Sequence, residues 1–159
     1  MKNIFFFAAI FFAVTLFGQT KTFKGAWFDI KYPATFTAKG SLRSATADKG
    51  YESAFFESPD HTVEFYVFAP QWSGNPTDIS LKSNEKVLST DTQKTGTQIS
   101  RWWTIVAKNG SYTRSYLEKK DNDQNTLLIF GIKYKNMSAY NKYKRNYLSF
   151  KASLTQYAD

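Results

Sequence analysis

Four consecutive segments in the second half of the chain alternate apolar and polar residues, and they are joined by short turns. The segments cover residues 86–93, 97–107, 112–120 and 125–134. A period of two is typical of β-strands that bury one face. The links contain turn-forming pairs such as Asn109-Gly110, which favour tight hairpins. Because short links join only antiparallel neighbours, the pattern predicts an antiparallel β-meander.

The first half of the chain adds three further strand patterns. Residues 28–33 alternate up to Pro33, which ends the strand, and residues 51–57 and 62–68 predict a hairpin across residues 58–61. The C-terminal end of residues 62–68 is apolar on both faces of the strand, which is typical of an interior strand covered on both faces. The small polar stretch Ala38 to Gly50 is predicted to be a loop.

Two other segments complete the predicted fold. Residues 69–84 contain Pro70, Gly74 and Pro76 and predict an excursion from the sheet, with a short helical turn within residues 77–83. After residue 136 the apolar spacing changes to three and four, which predicts an amphipathic helix that starts near Ser138 and packs on the sheet. We therefore expect an α+β fold, an antiparallel β-sheet meander with flanking helices in an α/β/α sandwich.

The N-terminus has the layout of a secretory signal peptide. Lys2 precedes an apolar run from Ile4 to Phe17, and Gly18-Gln19-Thr20 follows. The run is shorter than the roughly 20 residues of a membrane-spanning helix. We expect residues 1–19 to be removed and residues 20–159 to form one exported domain, periplasmic or secreted. An uncleaved N-terminal anchor is the alternative.

Composition limits the partners and the chemistry. The chain has no cysteine, which excludes disulfides, thiolate sites and a lipid anchor on cysteine. Its net charge is +8, and loss of Lys2 with the leader leaves about +7, which favours acidic partners. Aromatic residues make up 18% of the chain, which indicates a packed β-rich domain rather than a disordered one.

Three stretches resemble the PsbP-like family. They are residues 28–33 (FDIKYP), the step from Phe55 through Pro59 into residues 62–67, and the terminal helix ending at residues 148–151 (LSFK). The resemblance implies an antiparallel sheet sandwiched by helices, and a binding or accessory role rather than an enzymatic one. The chain lacks the lipobox cysteine of the family's exported bacterial lipoproteins.

Motifs for catalysis, metals and cofactors are few. His61 is the only histidine, so a typical zinc site is not expected, and no phosphate-binding glycine motif occurs. The run from Asp121 to Asn125 lacks the central glycine and the distal glutamate of a calcium loop, so a hairpin turn explains it better. Glu52, Glu57 and Glu64 lie on adjacent predicted strands, where two of them could approach one another as a carboxylate pair, and solvent-facing charges on a hairpin are the alternative. We expect no cofactor and no metal.

An aromatic and arginine group supplies the ligand-binding candidates. The alternation places Arg101 and Trp103 on one face of their strand and Trp102 on the other, while Arg114 and Tyr116 share a face of the next strand. If the turn at Asn109-Gly110 sets the register, guanidinium groups stack on rings. Core packing is the alternative role for each tryptophan. The candidates are Trp72, Arg101, Trp102, Trp103, Arg114 and Tyr116.

A basic group near the C-terminus supplies the second candidate surface. It is predicted to form a cationic face of the terminal helix, and its members are Lys135, Lys142, Lys144 and Arg145. Because the protein is predicted to be exported, nucleic acid is not the expected ligand of this face. An acidic polysaccharide, anionic lipid headgroups or an acidic protein are the expected ligands. A solvated helix face that keeps the protein soluble is the alternative.

Two functions follow as expectations. The first is a non-catalytic exported binding or accessory protein that docks on an envelope protein or an acidic or glycan component, through the aromatic edge or the basic face. The second is a small exported hydrolase acting on glycans or acyl compounds. Two carboxylates about 5 to 9.5 Å apart beside a tryptophan in a deep pocket would favour the hydrolase.

Overall fold

A computed structural model describes residues 18–157, and strands dominate this part of the chain. Residues 1–17 of the predicted leader lie outside the described residues. The strands are β1 (Thr20–Lys24), β2 (Phe28–Pro33), β3 (Thr37–Gly40), β4 (Ser53–Glu57), β5 (Val63–Phe68), β6 (Glu85–Thr95), β7 (Gln98–Ala107), β8 (Thr113–Asp121), β9 (Thr126–Tyr134) and β10 (Thr155–Gln156). The helix α1 spans Met137–Ala152, and a 3-10 turn spans Thr77–Ile79.

The large sheet joins two meanders into seven strands. Its order is β3-β4-β5-β9-β8-β7-β6, and all neighbours are antiparallel. The predicted four-stranded meander is confirmed as β6 to β9, and its last strand pairs with β5. This pairing makes β5 an interior strand, as its two apolar sides predicted, and both of its faces are buried.

A small sheet of order β1-β2-β10 lies beside the helix, and it holds strands that the sequence pattern missed. β1 and the two-residue β10 both pair with β2. The prediction that the loop begins at Ala38 was wrong, since β3 continues to Gly40 through its pairing with β4. Small polar residues have weak strand preference, so the partner strand decides the conformation there.

The helix-side face of the large sheet carries the main core. α1 packs on β2, β5 and β9, and its buried stripe of Ala139, Tyr143, Tyr147 and Phe150 follows the three- and four-residue spacing. The helix begins at Met137 rather than at Ser138, because Asn136 is its N-cap: the Asn136 side chain accepts a hydrogen bond from the Ala139 N–H (2.9 Å). None of the helices in residues 18–157 has the length and apolar character to span a bilayer.

The opposite face of the sheet carries a second, smaller cluster around Tyr66, Tyr116 and Ile129. Ile79 of the 3-10 turn packs into this cluster, so the predicted helical turn in residues 77–83 exists but covers three residues only. The α+β class with an antiparallel sheet is therefore confirmed. Of the predicted flanking helices, residues 18–157 contain one α-helix, and the second face is covered by a turn and a loop.

The turn at residues 58–61 connects the β4–β5 hairpin to α1 through hydrogen bonds. Asp60 accepts hydrogen bonds from Lys142 Nζ (2.7 Å) and from the Tyr143 hydroxyl (3.0 Å) of α1. His61 lies in the left-handed region with φ of 55°, as expected for a turn residue, and its Nδ1 is 3.0 Å from Glu57 Oε1. The exposed position of His61 agrees with a solvated turn rather than a catalytic base.

Candidate functional site

A cleft of about 540 Å³ opens on the face of the sheet that carries the 3-10 turn. Its floor comes from β4, β5, β8 and β9, and its walls come from the end of β3 and from the segment that links β5 to β6. A smaller hollow next to it shares Glu64, Tyr112 and Lys133 and reaches Glu57, His61 and Lys135. The cleft therefore lies where three separate parts of the chain meet.

A buried ion pair fixes one wall of the cleft. Arg114 is 5% exposed, and its Nη2 donates to Glu85 Oε2 at 2.5 Å. The other carboxylate oxygen of Glu85 accepts from the Tyr112 hydroxyl (2.7 Å), and Oε2 also accepts from the Lys82 N–H (2.8 Å). The pair thus connects the start of β6 to β8 and to the residues just before Glu85.

The same arginine holds the loop that follows the 3-10 turn. Its guanidinium donates to the carbonyl oxygens of Ile79 (2.9 Å) and Ser80 (3.0 Å). Nε of Arg114 is buried and has no hydrogen-bond partner among the described residues. An unsatisfied donor reduces the net gain from a buried pair, so the arrangement fixes geometry more than it adds stability.

The surroundings of Glu85 and Tyr116 lower the pKa of the first and raise the pKa of the second. Burial raises the pKa of Glu85, but the hydrogen bonds from Arg114, Tyr112 and the Lys82 N–H outweigh it and bring the pKa to about 2. Burial raises the pKa of Tyr116 to about 12, against the opposing charge of Arg114. Neither group exchanges a proton near neutral pH, so neither suits general acid or base catalysis.

The floor of the cleft is part of a row of aromatic rings across the sheet. Ring centroids are 4.8 Å apart for Phe55 and Tyr66, 5.9 Å for Tyr66 and Tyr116, and 5.1 Å for Tyr116 and Trp103. Gly131 of β9 lies between Tyr66 and Tyr116 in the register. A Cβ on Gly131 would come within 2.5 Å of the Tyr116 ring, so only glycine allows these two rings to meet.

Asp78 anchors the 3-10 turn to the floor. Its carboxylate accepts hydrogen bonds from the Tyr66 hydroxyl (2.8 Å) and from the Ser53 hydroxyl (2.6 Å). Burial, together with the negative charge of Asp78, raises the pKa of Tyr66 well above its usual range. The carboxylate of Asp78 is therefore engaged in holding the turn against β4 and β5.

Three lysines give the cleft an excess of positive charge. Lys39, Lys82 and Lys133 line it, and none of them forms an ion pair with a described carboxylate. Lys133 Nζ lies 4.7 Å from the centre of the Tyr112 ring. Since Glu85 is paired with Arg114 and Asp78 is held by hydroxyl groups, Glu64 is the remaining carboxylate of the lining.

Glu64 lies between a negatively charged and a positively charged residue of the two neighbouring strands. It lies opposite Lys133 on β9 and opposite Glu57 on β4. Burial raises its pKa, with Lys133 acting against the shift and Glu57 adding to it. The predicted approach of two glutamates is thus found for Glu57 and Glu64, whereas Glu52 lies elsewhere and accepts a hydrogen bond from the Ser44 hydroxyl (2.9 Å).

The predicted aromatic and arginine group is only partly assembled at the cleft. Arg114 and Tyr116 line the cleft, and Trp103 stacks on Tyr116 beside it. The guanidinium carbon of Arg101 lies 4.8 Å from the centre of the Trp103 ring on the same strand, and Arg101 Nη2 lies 3.8 Å from Oε2 of Glu118 on the next strand. The predicted stacking of guanidinium groups on rings is therefore found within a strand, while the contact between strands joins two rings. Trp102 points to the opposite face of the sheet.

Trp72 lies in the segment after β5 and does not line the cleft. Trp72 and Trp102 are each 37% exposed. The structure therefore separates the predicted candidates into a cleft group and two isolated tryptophans.

The predicted basic face of the helix is divided. Lys142 is paired with Asp60, and Arg145 lines a hollow between α1 and β2. Lys144 is two residues from Lys142, which places it about 200° around the helix, on the other flank. Lys135 precedes the helix and faces the small hollow beside the cleft. These four residues therefore do not form one surface.

Sequence patterns identified Arg114 and Glu64 as candidates but missed three other charged residues of the cleft, Lys39, Lys82 and Glu85. Lys82 comes from the predicted excursion, Glu85 is the first residue of β6, and Lys39 comes from a segment that was predicted to be a loop. The signal in the sequence that could have indicated Glu85 was an isolated glutamate at the start of the β6 strand pattern. Within residues 18–157, no group of three or more His, Asp or Glu side chains is arranged to hold a metal ion.

Comparison with known proteins finds likeness in structure but not in sequence. No family model and no curated protein sequence matches the chain. The solution structure of cyanobacterial PsbP (CyanoP) from Synechocystis has a TM-score of 0.47 at 10% identity, over 87% of this chain and 92% of that chain. A Bacteroides thetaiotaomicron crystal structure has a TM-score of 0.49 at 16% identity, over 89% of this chain and 49% of that chain.

A yeast protein gives a further match. The Ran-binding protein Mog1p of Saccharomyces cerevisiae has a TM-score of 0.43 at 10% identity, over 89% of this chain and 97% of that chain. Identities and TM-scores in this range assign no activity or partner to the chain. A PsbP structure and Mog1p are thus among the solved structures to which the chain is similar.

Proposed function

We propose that the protein is an exported, non-catalytic binding or accessory protein whose cleft takes an acidic segment of an envelope protein. The observation that carries the proposal is the set of Lys39, Lys82 and Lys133 around an aromatic floor, none in an ion pair with a described carboxylate, with Glu64 facing Lys133 across the sheet. Unpaired positive charges in a concave site attract a ligand of opposite charge and speed its association. Export rests on the predicted leader in residues 1–19.

The dimensions of the cleft suit side chains better than a large ligand. A volume of about 540 Å³ lies within the range of roughly 300 to 1,000 Å³ for small-ligand pockets, so it admits a few side chains of a partner. A carboxylate that enters between Lys82 and Lys133 gains hydrogen bonds to charged donors, and the rings of Phe55 and Tyr116 provide apolar contact.

A binding assay with an acidic peptide tests this proposal. We expect a hexaglutamate peptide to bind the purified protein with an affinity that falls as salt rises. The double variant Lys82→Gln/Lys133→Gln should weaken binding by about tenfold or more, equivalent to about 1.4 kcal/mol. The matched control Lys144→Gln/Arg145→Gln removes the same charge from the helix and should leave the affinity within about twofold. Equal losses in both variants would mean that net charge alone attracts the peptide.

One observation favours the hydrolase as the second candidate. Glu57 and Glu64 are directly opposite on neighbouring strands, and the pKa of Glu64 is raised by burial, as a general acid requires. No tryptophan lines the hollow that these two glutamates share. Assays on glycan and acyl ester substrates decide the matter: turnover that disappears in Glu64→Gln, while the peptide affinity stays, would establish the enzyme.

A further inference from the structure

A second hollow, of about 680 Å³, lies between α1 and β2. β10 pairs only with Phe28 and Asp29 at the start of β2, so beyond them this edge of β2 faces α1 instead of a strand. The start of β1 forms a further border, because Thr20 lies opposite Pro33 and both line the hollow. Three elements therefore meet at this hollow.

The two main walls of the hollow are fixed to one another. The Ser153 hydroxyl accepts a hydrogen bond from the Lys31 N–H (2.9 Å) and donates one to the Phe150 carbonyl oxygen (2.8 Å). The rings of Tyr32 and Phe150 line the hollow, and each lies 5.0 Å from the Phe56 ring between centroids. Because these contacts hold α1 against β2, a ligand meets a preformed site and pays little for ordering it.

The charge inside this hollow is positive. Lys31 on β2 and Arg145 on α1 line it, both side chains are exposed, and neither forms an ion pair with a described carboxylate. No aspartate or glutamate from the described part of the chain is in the lining. Two cations on opposite walls of a concave site attract an anion that reaches both.

The carboxylates of the surrounding elements have other partners. The sequences of β1 and α1 contain no acidic residue, and β2 contains Asp29. Asp29 is on the same face of β2 as Lys31, and its Oδ1 accepts a hydrogen bond from the Tyr157 hydroxyl (3.0 Å). Asp60 contacts α1 and accepts from Lys142 Nζ (2.7 Å). Both carboxylates lie outside the lining, so they leave the charge of the two cations in place.

The donors of the hollow suit a phosphate group better than a carboxylate. The guanidinium of Arg145 is a planar fork that binds two phosphate oxygens at once, and the ammonium of Lys31 adds a second charge. Asn146 and Ser149 supply an amide and a hydroxyl group on the same wall as Arg145. A phosphomonoester carries a charge of about −1.5 to −2 near neutral pH and three acceptor oxygens, which two cations and these donors match.

We propose that this hollow binds a phosphomonoester, with the phosphate oxygens held between Lys31 and Arg145 and the ester substituent against the Tyr32 ring. A soluble phosphate ester and the headgroup of phosphatidic acid share this chemistry, and the experiment below separates the two sources. The hollow has no lining residue in common with the cleft. The phosphate proposal and the peptide proposal therefore succeed or fail separately.

Calorimetric titration of the purified protein with phenyl phosphate tests the proposal. Phenyl sulfate is the matched probe, since it has the same shape and a single negative charge, and we expect it to bind more weakly. Lys31→Gln/Arg145→Gln should weaken phenyl phosphate binding by about tenfold or more, equivalent to about 1.4 kcal/mol. Arg145→Lys keeps the charge without the fork and should fall between.

The control variant Lys86→Gln/Lys94→Gln removes the same charge from two exposed positions of β6. It should leave the affinity for phenyl phosphate within about twofold. Hexaglutamate bound at the cleft should not compete with phenyl phosphate. Since the Lys31 and Arg145 side chains are exposed, all variants should keep the circular dichroism spectrum of the wild type.

Co-sedimentation with phosphatidylcholine vesicles identifies the source of the phosphate. Added phosphatidic acid presents a monoester, and added phosphatidylglycerol presents an anionic diester as its matched probe. Retention on phosphatidic acid that Lys31→Gln/Arg145→Gln loses would assign a lipid headgroup, whereas binding of phenyl phosphate alone would assign a soluble ester. Equal losses in the two double variants, no preference for the monoester in either probe pair, or binding of neither phosphate probe would overturn the proposal.

Discussion

Glu85 is the residue whose substitution should disturb the cleft most. Its side chain is fully buried and accepts from Arg114, Tyr112 and the Lys82 N–H. Glu85→Gln leaves the guanidinium of Arg114 without its counter-charge, and loss of one partner of a buried pair costs about 3 to 5 kcal/mol. We expect a loss near the lower end, about 3 kcal/mol in chemical denaturation, because glutamine retains the shape and one acceptor.

The difference in unfolding free energy between wild type and Glu85→Gln should disappear at low pH. The folded state lowers the pKa of Glu85 from its ordinary 4.5 to about 2, so its contribution is complete above pH 4.5 and disappears as pH falls through 2. The exposed pair of Arg101 and Glu118 provides the control, since Glu118→Gln should change stability by at most about 0.5 kcal/mol. A loss in Glu85→Gln that stays constant down to pH 2 would assign it to packing instead.

Sequence patterns located residues on one strand or hairpin well, and residues from distant segments poorly. Period-two alternation and the Asn109-Gly110 turn predicted that the face with Trp103 and the face with Tyr116 are neighbours on adjacent strands, and the register pairs these two residues. Lys39 and Lys82 reach the cleft through the pairing of β3 and through a loop that Arg114 holds. Local propensity contains no information on such long-range contacts.

At the scale of an element, the N-cap of α1 is the clearest point to test. Asn136→Ala removes the acceptor of the Ala139 N–H and should lower the free energy of unfolding by about 1 kcal/mol. Asn141→Ala is the matched control, because Asn141 is exposed within the same helix and alanine is the better helix former. Denaturant titration of both variants measures the two effects. Equal changes in both would show that helix propensity, and not capping, governs this end of α1.

Elements with strong periodicity were predictable, and the short ones were not. β6 to β9 and α1 each contain enough residues for a period to appear. β10 has two residues and exists because Gln156 donates to the carbonyl oxygens of Pro70 and Leu127 while its backbone pairs with β2. The helix begins earlier than predicted because Asn136, two residues before Ser138, is the N-cap, and Ser138 lies inside the first turn.

For the whole molecule, we expect a single cooperative unfolding transition, which also tests the prediction of one domain. β5 and β9 contribute to both hydrophobic clusters, so neither cluster can be lost alone. Phe150→Ala in the helix-side cluster and Leu127→Ala in the other should each lower stability by about 2 to 5 kcal/mol. Far-ultraviolet circular dichroism and tryptophan fluorescence should give coincident curves in both variants. Two separated transitions would mean that the faces of the sheet unfold independently.

The pairing of β5 with β9 has a consequence for how quickly the protein reaches its native state. Each meander is built from neighbours in sequence, so its hairpins form by local search. The junction instead brings together residues such as Val63 and Tyr134, which are far apart in the sequence. Closing a long loop must precede any gain from the contacts it brings, and such pairing is slow. We therefore expect the junction to form late in folding, and until it forms both meanders expose an unpaired edge to other chains.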